Sequence, residues 1–119
     1  MRKFLNLEKY QKLMFLQNEY GRIQWSNLSV DILRLINASN KPYAGAFCQY
    51  EGKKVLIWHA ELVDDYKEHY AVPGQVTKIG DDFVDVVCAG GELRLLELEI
   101  DGSVMAPNII IKSIRKRLT

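Results

Sequence analysis

The sequence predicts a mainly β protein: a small open antiparallel barrel with helices on its N-terminal side and a short C-terminal helix. Three observations carry this. Between residues 46 and 100 lie about five short runs rich in β-formers. Glycine-bearing turns separate most of them at hairpin spacing. Helical periodicity is confined to the stretches before Pro42 and after Met105, which argues against alternating strands and helices in a parallel sheet.

The first stretch, residues 4–20, carries Leu7, Tyr10, Leu13, Met14 and Phe15 at helical spacing and stops at Gly21. A helix or an extended arm are the two readings. The second helix is clearer. Ser29 is placed to cap it, and Asp31 puts a negative charge in the first turn. Ile32, Leu35 and Ile36 repeat on one face from Val30 to Ala38. Pro42 pushes Lys41 out of the helical region.

Strands follow at 46–50 and 54–63, joined by the turn Glu51-Gly52-Lys53. Residues 64–72 are polar and loop-like, and Pro73-Gly74 marks a turn. A hairpin at 75–79 and 83–88 turns through Gly80-Asp81-Asp82. The strand at 92–100 has Leu93 and Leu95 on one face and Leu96, Leu98 and Ile100 on the other, which predicts that both faces are covered. Asp101-Gly102 turns, and residues 106–115 are expected to form a terminal helix carrying Ile109, Ile110, Ile111 and Ile114.

Length and composition narrow the function classes. The 119 residues suit one domain, 1–119, divided into a helix or arm (1–20) and a barrel (21–119). A chain that is 48% hydrophobic and 26% charged is expected to fold rather than stay disordered. The net charge of +1 offers no overall attraction to polyanions, so any such contact needs a local patch. No apolar run is long enough for a membrane span, and no secretory leader is legible. Cys48 and Cys88 form neither a disulfide framework nor a zinc quartet, and a cytoplasmic location is expected.

Catalytic candidates are few. His59 and His69 lack a nearby nucleophile, and Cys48, His59, His69 and Cys88 lack the paired spacing of a metal site. Asp64-Asp65 and Asp81-Asp82 sit where Asp stabilises turns. Trp25, Tyr43, Phe47, Tyr50 and Trp58 could stack on bases, but core packing explains them better. The distinctive feature is the basic end: Lys112, Arg115, Lys116 and Arg117 fall in the last eight residues, with no acid after Asp101. They are candidate contacts for RNA or phosphate; cations complementing a helix C-terminus are the competing reading. Lys41, Lys53, Lys54 and Lys78 extend the patch only if the fold gathers them.

Read in order, several segments resemble the C-terminal domain of the formyltransferase family, which includes methionyl-tRNA formyltransferase and the sugar-nucleotide N-formyltransferases. They are Gly21-Arg22-Ile23-Gln24-Trp25-Ser26, Asp31 to Ala38, Pro42-Tyr43-Ala44-Gly45-Ala46-Phe47, Lys54 to Val63, Pro73-Gly74-Gln75-Val76, and Gly91 to Leu98. Gln24, Tyr43 and Ala44 depart from the usual Asp, Trp and Pro, and the Lys41-Pro42-Tyr43 form of the turn, with the near-neutral charge, leans toward the sugar-type or uncharacterised branches. The resemblance implies an OB-like barrel serving as a non-catalytic accessory domain. It would position an amino-bearing substrate, an aminoacyl-tRNA or an amino sugar nucleotide, or pack subunits. It implies no cofactor in this chain, because 10-formyltetrahydrofolate would bind an N-terminal domain with the catalytic Asn, His and Asp, to which no residues here correspond. The implied partners are that N-terminal domain or a partner chain, with tRNA and a second copy as further candidates. An RNA-binding barrel using the basic end and a protein-assembly domain are the alternative functions.

Overall fold

The computed structural model describes residues 21–63 and 72–119; the expected helix or arm at 4–20, and His69 with Asp64 and Asp65, lie outside them. The described chain runs α1 (Ser29–Ala38), β1 (Ala46–Tyr50), β2 (Lys53–Leu62), β3 (Val76–Ile79), β4 (Val84–Cys88), β5 (Gly91–Ile100) and β6 (Ser103–Met105), then a 3-10 turn at Pro107–Ile109. All six strands form one antiparallel sheet ordered β1-β2-β5-β4-β3, with β6 also on β5. The sheet is open: β1 and β3 are its edges.

Helix α1 begins one residue earlier than expected, and Ser29 is its first residue rather than its cap. Leu28 holds the cap position in extended backbone, bridged to Ala89. The Ser29 amide donates to the Ala89 carbonyl at 3.1 Å, so a neighbouring strand end supplies what a capping side chain usually does. Its Oγ instead rests on Gly91, where a β-carbon would lie 2.7 Å from it. The apolar stripe points as expected: Ile32 and Ile36 are buried in the core, and Leu33 and Leu35 pack against it.

Two hairpin turns use adjacent residues with positive φ. Glu51 and Gly52 join β1 to β2 at φ 49° and 80°, and Asp101 and Gly102 join β5 to β6 at 52° and 82°. That geometry matches the twist of the flanking strands and explains the Gly in each pair.

The apolar residues on both faces of β5 have a different cause from the one expected. Pairing with β2 shifts by one residue, from Ile57↔Leu98 to His59↔Glu97, and returns at Ala60↔Leu95. The irregularity changes which alternate residues turn inward. Leu93, Leu95 and Leu98 therefore join one core with Val55, Ile57, Val84 and Val86, and Ile100 packs on it.

The C-terminal segment corrects the expectation. Residues 106–115 form no α-helix; only Pro107–Ile109 makes a 3-10 turn. Successive β-branched isoleucines favour extended backbone, and the donors beyond find partners in the sheet. Val76 donates to the Lys116 carbonyl at 3.1 Å, Leu118 to Gly74 at 2.7 Å, and Thr119 to Gln49 at 2.9 Å. Gln75 and Arg117 form an antiparallel bridge. Residues 116–119 thus lie as a strap between β3 and β1, with Leu118 fully buried in the core. Strand β6 was also unforeseen, since Ser103-Val104-Met105 is too short to show an alternation.

Candidate functional site

The strap decides where the basic residues stand. Lys112 and Arg115 are exposed on the segment that leads into it. Neither pairs with a carboxylate among the described residues. Lys116 Nζ meets Glu51 Oε1 at 2.6 Å across the β1–β2 turn. That carboxylate holds the Lys116 ammonium above the usual lysine range. Arg117 Nε donates to the Pro73 carbonyl at 2.8 Å. Two of the four predicted cations are therefore engaged in seating the strap, and two face solvent.

Arg22 joins this end of the molecule although its position in the sequence gave no sign of it. The segment from Gly21 to Ile23 runs parallel to β1: Phe47 donates to Gly21 at 2.8 Å and Ile23 to Phe47 at 2.7 Å. The register carries the Arg22 guanidinium to within 3.4 Å of the Thr119 carbonyl oxygen. Between this entry segment and the strap lies a cleft of about 160 Å³, lined by Gln24, Trp25, Ser26, Pro73, Arg117 and Thr119 among others. Trp25 is buried, and its Nε1–H has no hydrogen-bond acceptor among the described residues.

The other lysines go elsewhere. Lys53 pairs with Asp101 at 3.6 Å. Lys41, Lys54 and Lys78 sit over the rings of Trp58, Phe47 and Phe83 at 5.1, 4.6 and 5.7 Å from the ring centroids. Trp25, Tyr50 and Trp58 are core residues, so they form no exposed stacking platform. Trp58 donates its Nε1–H to Glu99 at 3.1 Å, while Asn40 donates to its carbonyl.

The remaining ionisable groups have structural surroundings. His59 is exposed on β2 and lies 3.7 Å from Glu97 on β5, a cross-strand pair. Arg94 grips Asp85 with two hydrogen bonds, 2.9 and 3.1 Å long, and stacks 4.1 Å over the Phe83 ring. Thr77 donates its hydroxyl to Glu92 beside them. Burial pushes the Cys48 and Cys88 thiols up to about 12, which leaves both as neutral core groups. Among the described residues no three His, Cys, Asp or Glu side chains cluster as a metal site, and no helix is long and apolar enough to cross a membrane. The larger groove, about 450 Å³ between the Glu51-Gly52 and Asp101-Gly102 turns, is lined by Lys53, Lys54, Leu56, Glu99 and Asp101.

Comparison with known proteins gives this geometry its context. Methionyl-tRNA formyltransferase of Acetivibrio thermocellus is 32% identical over 88 residues, which cover 74% of this chain and 28% of that protein. The enzyme of the same name from Caldanaerobacter subterraneus is 36% identical over 85 residues, covering 71% and 26%. The chain thus spans little more than a quarter of the relatives it matches. Among solved structures, HypX from Aquifex aeolicus in complex with tetrahydrofolic acid superposes with a TM-score of 0.69 at 20% identity, over 82% of this chain and 17% of that one. That likeness concerns the fold. The family described as "Formyl transferase, C-terminal domain" matches residues 16–115, nearly the whole described barrel with its entry segment, and the chain belongs to that family.

Proposed function

We propose that this chain is the accessory barrel of a formyltransferase, which holds the amino-bearing substrate while a separate folate-binding domain transfers the formyl group. The observation that carries this reading is the extent of the match: the C-terminal domain family covers residues 16–115, while the enzymes that contain such a domain are more than three times as long as the aligned segment. In this reading 10-formyltetrahydrofolate belongs to the other domain, and the barrel supplies position and charge. The chain alone, given 10-formyltetrahydrofolate and methionyl-tRNA, is expected to form no formylated product. Formylation by the purified chain would overturn the assignment.

Between a nucleotide sugar and a tRNA, the curated relatives favour the tRNA. The solvent-facing pair Lys112 and Arg115 supplies cations for backbone phosphates. A gel shift at low salt should show tRNA binding that weakens when Lys112 and Arg115 are both replaced by Ala. Retention of a nucleotide sugar with no retention of tRNA would favour the sugar branch instead.

A further inference from the structure

We propose that the strap is exchangeable between copies of this chain, so that residues 116–119 of one molecule can fill the slot of a second and join the two as a dimer. This inference stands apart from the substrate reading, since it concerns only how the open sheet is completed.

The slot is a built strand-acceptor. One wall is the β3 edge, where Val76 donates to Lys116 and Gly74 accepts from Leu118. The other is β1, where Gln49 accepts from Thr119. Its floor takes the Leu118 side chain, which is 1% exposed. Charge fixes the register: Glu51 receives Lys116 at 2.6 Å, and the Pro73 carbonyl receives Arg117 at 2.8 Å. Gly74 has φ +90°, and a β-carbon there would stand 2.2 Å from the Leu118 carbonyl oxygen. The Pro73-Gly74 turn is therefore shaped to receive a strand, and the strand it is shaped for is this chain's own sequence.

The segment before the strap is suited to swing out. Ile111 is fully buried and anchors the chain to the core. Residues 112–115 carry exposed Lys112, Ile114 and Arg115. Their hydrogen bonds stay local, from Arg115 to the Ser113 hydroxyl at 3.1 Å and from Lys116 to the Ser113 carbonyl at 3.3 Å. A short exposed hinge between a fixed anchor and a complementary strand is the arrangement from which strand exchange arises, because the second molecule offers the same slot without new contacts. An emptied slot would leave the outer edge of β3 without its partner and open the Leu118 seat in the core to water, which favours refilling it from a neighbour.

The test uses full-length chains. Isotopically heavy Gln49→Cys and light Thr119→Cys chains are unfolded together, refolded at high protein concentration and treated with a short bismaleimide. Cys48 and Cys88 are 0% and 3% exposed and should not compete. Exchange predicts a heavy–light 49–119 link that exceeds the 49–49 and 119–119 links several-fold. It also predicts that wild-type chain refolded at the same concentration contains a dimer fraction. Inserting four flexible residues after Ser113 should deplete that fraction, because a longer hinge lets the strap dock at home. Wild-type chain that remains monomeric at every concentration overturns the proposal, as does a dimer that ignores the longer hinge.

Discussion

The Leu118 amide donates to the Gly74 carbonyl at 2.7 Å, and the Gly74 α-carbon lies so close to the Leu118 carbonyl that no side chain fits between them. This contact joins the Pro73-Gly74 turn to the far end of the chain. Gly74→Ala is therefore expected to destabilise the fold by ~1–3 kcal/mol from backbone strain alone, with the clash adding to it. Urea denaturation would read the change; an unaltered midpoint would mean that the strap does not seat there.

Leu118 tests the same seat from the other side. Its side chain is 1% exposed and closes the core between β3 and β1. Leu118→Ala should cost roughly 2–5 kcal/mol in a chemical denaturation series. Ile114, which is 54% exposed, should tolerate Ala within about 0.5 kcal/mol. Similar costs at the two positions would contradict the described tail.

Arg94 and Asp85 make a second test. Asp85 is 3% exposed and receives both guanidinium hydrogen bonds. Arg94→Met leaves that carboxylate buried without its partner and should cost ~3 kcal/mol, whereas the double change Arg94→Met with Asp85→Asn should recover part of the loss. A double-mutant cycle measures the coupling. Strict additivity would show that the pair contributes nothing of its own.

The two thiols predict an alkaline limb of stability. Both sit at about 12 in the fold against 9.0 for an ordinary thiol, because burial disfavours the thiolate. A group whose folded pKa is raised stabilises fully below its unfolded value and loses that contribution as pH rises toward the folded one. Stability should fall between about pH 9 and 12, and the fall should be shallower in a Cys48→Ala, Cys88→Ala chain. Native chain should also react slowly with a thiol reagent at pH 8 and quickly once unfolded. Rapid labelling of the native protein would refute the burial.

Much of this fold can be read from local chemistry, and the part that cannot has a common cause. The turns Glu51-Gly52 and Asp101-Gly102 are visible because their backbone demands a residue free to take positive φ. The stripe Ile32 and Ile36 is visible because a helix repeats every 3.6 residues. The strap is invisible because Lys116, Leu118 and Thr119 take their partners from Val76, Gly74 and Gln49, tens of residues away. An isoleucine-rich run ending in cations looks locally like a helix C-terminus. The shift at His59↔Glu97 is hidden for the same reason, since alternation along β5 reveals nothing of its neighbour. At the site, the sequence marks the four cations, while only the fold separates Lys116 and Arg117, which hold the strap, from Lys112 and Arg115, which face outward. Arg22 was missed because parallel pairing with β1 brings it there.

The salt dependence of tRNA binding tests the central claim, that this barrel holds a substrate through surface charge. Fluorescence anisotropy from about 50 to 200 mM salt should give a falling line of log K against log salt, and the Lys112→Ala, Arg115→Ala chain should lose about two phosphate contacts' worth of slope while keeping its fold. Binding with the same slope in both chains, or no binding at the lowest salt, would contradict it.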